Sequence, residues 1–129
     1  MKDCDIKILL VEDSYLEKEF ICHLLDAEKK VRYIVEHASS IREARQKIEQ
    51  YDFDVFLLDL FLPDSTGLKT LETFLRYSNC KPIIVITDHE QEVGEKAIEL
   101  GAEDFFIKSD LNERILSRII KYVIVRKKT

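Results

Sequence analysis

Short apolar runs that stop at polar residues alternate along this chain with segments whose apolar residues recur at helical spacing. The run 7–11 (KILLV) stops at Glu12 and Asp13. Ser14 then stands three residues before Glu17, the spacing of a capping box, and Leu16, Phe20, Ile21, Leu24 and Leu25 follow at helical intervals. Arg32–Ala38 alternates more and carries Glu36 and His37, as an edge strand does. Ser40 and Glu43 repeat the capping spacing, with Ile41, Ala44 and Ile48 marking a second helix. The run 53–59 (FDVFLLD) predicts a third strand ending in one carboxylate, Asp59. Leu68, Leu71, Phe74 and Leu75 predict a third helix that ends near Ser78 and Asn79. The run 82–86 (PIIVI) predicts a fourth strand that stops at Thr87. Val93, Ala97 and Leu100 line a fourth helix, with Gly101 suited to its C-terminal cap. Asp104–Ile107 gives a fifth strand stopping at Lys108. Asp110 and Glu113 form a third capping pair ahead of a long last helix through Ile115, Leu116, Ile119, Ile120 and Val123.

Five strand-then-helix units in succession predict an α/β fold, a parallel sheet with helices on both faces joined by right-handed crossovers. The first, third and fourth strands are almost wholly apolar, as strands covered on both faces are. The second and fifth carry more polar residues and are expected at the edges. That gives the order 2-1-3-4-5 of a flavodoxin-like doubly wound sheet. No linker, repeat or low-complexity stretch interrupts the 129 residues, which read as one domain, 1–129.

Composition changes this picture little. A 46% hydrophobic and 35% charged chain is ordinary for a globular protein, and a net charge of −5 argues against nucleic acid as a direct partner. No apolar run approaches a membrane span and the N-terminus lacks a signal-peptide layout, so a cytoplasmic protein is expected. Cys4, Cys22 and Cys80 show no metal-ligand spacing, and an odd number fits free thiols in a reducing compartment. His23, His37 and His89 stand singly.

The chemistry lies at the strand ends. In a parallel sheet all C-terminal ends share one edge. Glu12, Asp13, Asp59, Thr87 and Lys108 therefore converge, beside the switch point between strands one and three where open α/β sheets bind ligands. A lone acid after a strand usually caps a helix; the joint arrangement points to function instead. Three carboxylates so close repel one another unless a cation joins them. An oxygen-only donor set with room for waters and phosphate oxygens suits Mg²⁺. A carboxylate nucleophile, a divalent cation, a lysine and a hydroxyl together make a phosphoryl-transfer site.

Glu12-Asp13, the segment 59–67 (DLFLPDSTG) with Pro63 four and Gly67 eight residues after Asp59, then Thr87 and Lys108, resemble the receiver domain of two-component response regulators over essentially the whole chain. The resemblance implies that Asp59 accepts a phosphoryl group from a phosphohistidine on a sensor kinase or phosphotransfer protein. It implies Mg²⁺ bound by Asp13, Asp59 and the backbone carbonyl of Phe61, with Glu12 acting through a water. Lys108 would contact Asp59 and then the phosphoryl group. Thr87 would move to the phosphoryl oxygens, and Phe105, three residues before the lysine, would turn inward behind it; Phe106 points to the opposite face. Such a domain catalyses only its own phosphorylation and dephosphorylation, and signals to an output domain or protein. It would be a monomer or a weak dimer through helix four, strand five and helix five.

Three departures stand out. Ser109 replaces the family's common proline after the lysine, leaving the Lys108–Ser109 peptide geometry open. Asp88 replaces a small residue after Thr87. Phe61 and His89, each two residues past a key position, are expected to tune autodephosphorylation. A receiver-like interaction module that is never phosphorylated is the alternative, although such modules usually lose the acidic pair, the acceptor or the lysine. A haloacid-dehalogenase-type phosphatase needs an aspartate at position 61, and a flavodoxin needs a phosphate-cradling loop where this chain has EDSYLEK; both are rejected. Only the last helix follows Lys108, so the chain is expected to be either a stand-alone receiver or one domain of a longer protein.

Overall fold

A computed structural model describes residues 5–88 and 91–128; Cys4 and His89 lie outside them. Five parallel strands, β1 (Asp5–Val11), β2 (Arg32–Ala38), β3 (Val55–Leu58), β4 (Ile83–Thr87) and β5 (Asp104–Ile107), pair in the order β2-β1-β3-β4-β5. The expected doubly wound sheet is present, with the polar strands at its edges.

Side chains alternate across this sheet because successive Cβ atoms of a strand point to opposite faces. Leu9, Val11, Phe56, Leu58, Ile83 and Val85 fill one layer, against α2 (Ile41–Gln50), α3 (Leu68–Leu75) and α4 (Gln91–Leu100). Ile8, Leu10, Val55, Leu57, Ile84 and Ile86 fill the other, against α1 (Tyr15–Asp26) and α5 (Glu113–Lys128). Phe105 joins the first layer and its neighbour Phe106 the second.

Two serine caps form as read, but the Ser14 N–H goes to Glu12 Oε2 and Glu43 Oε1 accepts from Ser39 N rather than from Ser40 N. Ser14 Oγ accepts from Glu17 N at 3.3 Å and Ser40 Oγ from Glu43 N at 3.0 Å. Gly101, with φ +133°, follows α4, and its N–H reaches Ala97 O at 3.1 Å.

The first helix forms as read; it buries Ile21, Leu24 and Leu25 and leaves Leu16 and Phe20 79% and 41% exposed. Three local expectations need correction. The third helix stops at Leu75 rather than near Ser78, where Asn79 and Cys80 take positive φ. Asp110 does not open α5. Lys108–Asp110 form a 3₁₀ turn, Leu111 drops into the core, and Asn112 Oδ1 accepts from Ile115 N at 2.9 Å instead. β3 at 55–58 is shorter than the run 53–59 and stops before Asp59, and β4 at 83–87 is shifted by one residue from the run 82–86 and takes in Thr87. Among the described residues no peptide is cis, the Lys108–Ser109 bond included. No helix among them is long and apolar enough to cross a membrane.

Candidate functional site

Register assembles the site. Val11 pairs with Leu58 and Leu58 with Val85, so Glu12 and Asp59 emerge side by side at the C-terminal edge. Thr87 pairs with Ile107, which places Lys108 one residue beyond. Glu12, Asp59 and Lys108 are only 1%, 6% and 5% exposed, and Thr87 is fully buried. Asp13 stands exposed at the rim.

Burial of three ionisable groups is tolerated here because they pair. Lys108 Nζ lies 2.5 Å from Glu12 Oε1 and 3.4 Å from Asp59 Oδ2. The exposed Asp88 is 3.9 Å away. The lysine therefore meets Asp59 as expected, but its nearer partner is Glu12. Glu12 Oε2 accepts from Ser14 N at 3.2 Å, and Asp59 Oδ1 from Phe61 N at 3.2 Å.

Desolvation, then the Glu12 charge, pushes the Asp59 carboxyl up to about 7, against the opposing pull of Lys108. Burial pulls the Lys108 ammonium down, but its hydrogen bond to Glu12 and the charge of Asp59 outweigh it, and the net shift is upward. Carboxylate oxygens of Glu12, Asp13 and Asp59 lie within 4.8 Å of one another. That oxygen-only set, with Asp59 held above its ordinary range, fits a hard divalent cation such as Mg²⁺, which would favour the ionised form.

The loop after Asp59 is built to hold its backbone still. Phe61–Leu62 and Ser65–Thr66 form a short antiparallel ladder, closed where Gly67 N donates to Leu60 O at 2.8 Å. Gly67 sits at φ +74°, a conformation that favours glycine. The buried Thr70 hydroxyl donates to the same Leu60 carbonyl at 3.0 Å.

Sequence reasoning passed over several supporting residues. His37 Nε2 donates to the Glu12 carbonyl at 2.6 Å, tying β2 to the acidic pair. Asp64 accepts from Ile41 N at 3.0 Å and Arg42 N at 3.1 Å, fastening the acceptor loop to the N-terminus of α2. Asp64 had the turn-and-cap composition that could have announced it; His37, a single histidine on an edge strand, gave no such signal. Of the expected residues, Glu12, Asp13, Asp59 and Lys108 come together. Thr87 ends the adjacent strand, Phe61 follows through its backbone, and Phe105 faces the same side of the sheet two residues behind Ile107.

The family model of the response regulator receiver domain matches residues 8–120. A sensory transduction protein LytR from Staphylococcus epidermidis is 30% identical over 124 residues, covering 96% of this chain and 48% of that protein. A protein-glutamate methylesterase/protein-glutamine glutaminase from Treponema denticola is 32% identical over 112 residues, covering 84% of this chain and 30% of that protein. The chain thus spans half or less of these relatives. A CheY-like receiver domain from Methanospirillum hungatei superposes with a TM-score of 0.80 at 27% identity, covering 95% of this chain and 96% of that one. With the receiver model matching residues 8–120, the chain belongs to the response regulator receiver domain family.

Proposed function

We propose that Asp59 is the phosphoacceptor of this receiver, taking a phosphoryl group from a phosphohistidine on a sensor kinase or phosphotransfer protein. The observation that carries the reading is Asp59 Oδ2 lying 3.4 Å from a buried lysine within a cluster of three carboxylates. An Asp59 oxygen attacks phosphorus, an O–P bond forms, and the N–P bond to the donor imidazole breaks. Its electron pair stays on the imidazole nitrogen. The product is an acyl phosphate.

Asp13, Asp59 and the Phe61 carbonyl would hold Mg²⁺, with Glu12 acting through a water. The bound ion would supply charge neutralisation for the transferring group. Lys108, poised between Glu12 and Asp59, turns to the new phosphoryl oxygens as a point charge. Thr87 offers its hydroxyl to those oxygens, with Phe105 as the aromatic packed behind it, and the position of Thr87 is a two-state equilibrium biased by contacts made only to the phosphoryl group. Phe61, half-buried beside Asp59, and His89 tune the approach of hydrolytic water. An unchanged decay rate after replacing both with small polar residues counts against that role.

Exposed Tyr15, Leu16 and Phe20 begin two residues after Asp13 and offer the donor an apolar landing surface beside the acceptor. The output, a further domain or a protein, is read from α4 and α5, which flank the edge strand β5. Ile98 and Leu100 on α4 and Tyr122 and Val125 on α5 are exposed there, the surface through which a weak dimer would also form. We take 1–129 as one domain, acting in the cytoplasm without direct nucleic-acid contact and catalysing only its own phosphorylation and dephosphorylation.

The test is intact mass after incubation with acetyl phosphate and Mg²⁺, alongside Asp59→Asn and a metal-free control. One added phosphoryl group that needs both Asp59 and Mg²⁺ is the expected result. No gain from acetyl phosphate or from a phosphohistidine donor, with the fold intact, overturns the reading in favour of an unphosphorylated interaction module.

A further inference from the structure

Gly94 is the fourth residue of α4, and nothing in its backbone requires glycine: it is helical, and its φ is not positive. A helix-interior glycine is unfavourable relative to alanine, so the missing side chain needs another reason. The reason is Phe105. A Cβ built on Gly94 falls inside the Phe105 ring, overlapping Cδ2 and Cε2 and standing 2.5 Å from Cγ. Because Cγ carries the ring, rotating the ring about its own axis cannot relieve that overlap. The whole side chain would have to leave by its first torsion.

The seat is otherwise apolar, and Phe105 is half-buried in it. Val93 and Ala97 of α4 and Ala102 of the following turn belong to the same layer as Phe105, and Ala97 is fully buried. Across the sheet Phe105 pairs with Val85, two residues behind Thr87, so ring and hydroxyl share one face of the β4–β5 pair. The ring is seated in this way while Asp59 Oδ2 is still bonded directly to Lys108.

From this geometry we infer that Gly94 is the positioning residue of the switch: it gives Phe105 its inward seat before any phosphoryl group is present. The inference rests on the reading of Phe105 as the switch aromatic. Its consequence is a division of labour. The α4–β5 surface is already in the ring-in arrangement at rest, and phosphorylation acts through Thr87 rather than through entry of the ring. Any side chain at position 94 denies the seat and leaves the ring outside in both states.

Two measurements test this. In the first, 4-fluorophenylalanine is incorporated and the ¹⁹F resonance lost in Phe105→Leu is followed, with and without acetyl phosphate and Mg²⁺. The expected result is a resonance far from the solvent-exposed shift in both conditions, moved to the exposed shift in both by Gly94→Ala. A parent resonance at the exposed shift that moves inward only on phosphorylation overturns the inference, as does an unmoved resonance in Gly94→Ala. In the second, thermal midpoints are compared. Gly94→Ala lowers the midpoint when Phe105 is present and raises it in a Phe105→Ala background, where alanine's better helix propensity is no longer opposed. The same sign in both backgrounds overturns the seat. Intact mass in the same samples separates this from the phosphoacceptor reading. If no phosphoryl group is gained, that reading fails, while the resting ring position and the midpoint sign still decide the seat.

Discussion

Replacing Asp59 with asparagine should stabilise the metal-free protein, and the gain should depend on pH in a direction the structure fixes. The folded carboxyl sits at about 7 against an ordinary value of 3.8, driven first by burial and then by Glu12. Between those values the folded chain holds a proton that the unfolded chain has released. Stability is therefore fully present below about 3.8 and is lost as pH rises through about 7. At 1.36 kcal/mol per pH unit the interval corresponds to a ceiling of about 4 kcal/mol, reached above neutrality. Asparagine removes the charge, keeps an acceptor for the Phe61 N–H, and leaves Lys108 its nearer partner Glu12 at 2.5 Å. Urea unfolding in chelator at pH 8, 6 and 4 reads the difference. With a slope of roughly 2 kcal/mol per M, the asparagine variant should gain on the order of 1–2 M in midpoint at pH 8 and nothing at pH 4. Saturating Mg²⁺ should raise the parent's midpoint at pH 8 and narrow the gap. A variant less stable than the parent at pH 8, or a gain that does not change between pH 8 and pH 4, would refute the electrostatic account.

Lys108→Met leaves Glu12 and Asp59 buried without their cation and should cost about 3–5 kcal/mol by urea unfolding in chelator. Phosphorylation by acetyl phosphate should fall steeply in the same variant. Leu16→Asp changes a residue 79% exposed and should leave stability within about 0.5 kcal/mol. Its rate with acetyl phosphate should match the parent, while transfer from a phosphohistidine donor falls at least tenfold; equal loss with both donors would contradict a docking role. Asp64→Ala removes the acceptor for the Ile41 and Arg42 amides and should cost about 1 kcal/mol. The same change should weaken Mg²⁺ binding measured by calorimetry, because the loop carrying the Phe61 carbonyl loses its anchor on α2.

The fold was legible because its signals are local. Apolar runs of strand length, three serine- or aspartate-led caps and period-2 burial are written residue by residue, and two of those caps form as written at Ser14 and Ser40. The third failed at Asp110 for a reason outside its own segment. Lys108 must turn back into the site and Leu111 into the core, which leaves the cap to Asn112. Likewise α1 carries apolar residues on more than one face, and only the sheet beneath it selects Ile21, Leu24 and Leu25 for burial.

The same division runs through the site. The sequence by itself determined which groups reach the catalytic edge, because a parallel sheet delivers every strand end to one side whatever the packing beneath. It did not determine that Lys108 lies closer to Glu12 than to Asp59, that His37 and Asp64 brace the two acidic loops, or that Phe105 rests on Gly94. Those depend on distances between residues far apart in the chain and on how much water each group loses. Only the closed tertiary structure sets either quantity.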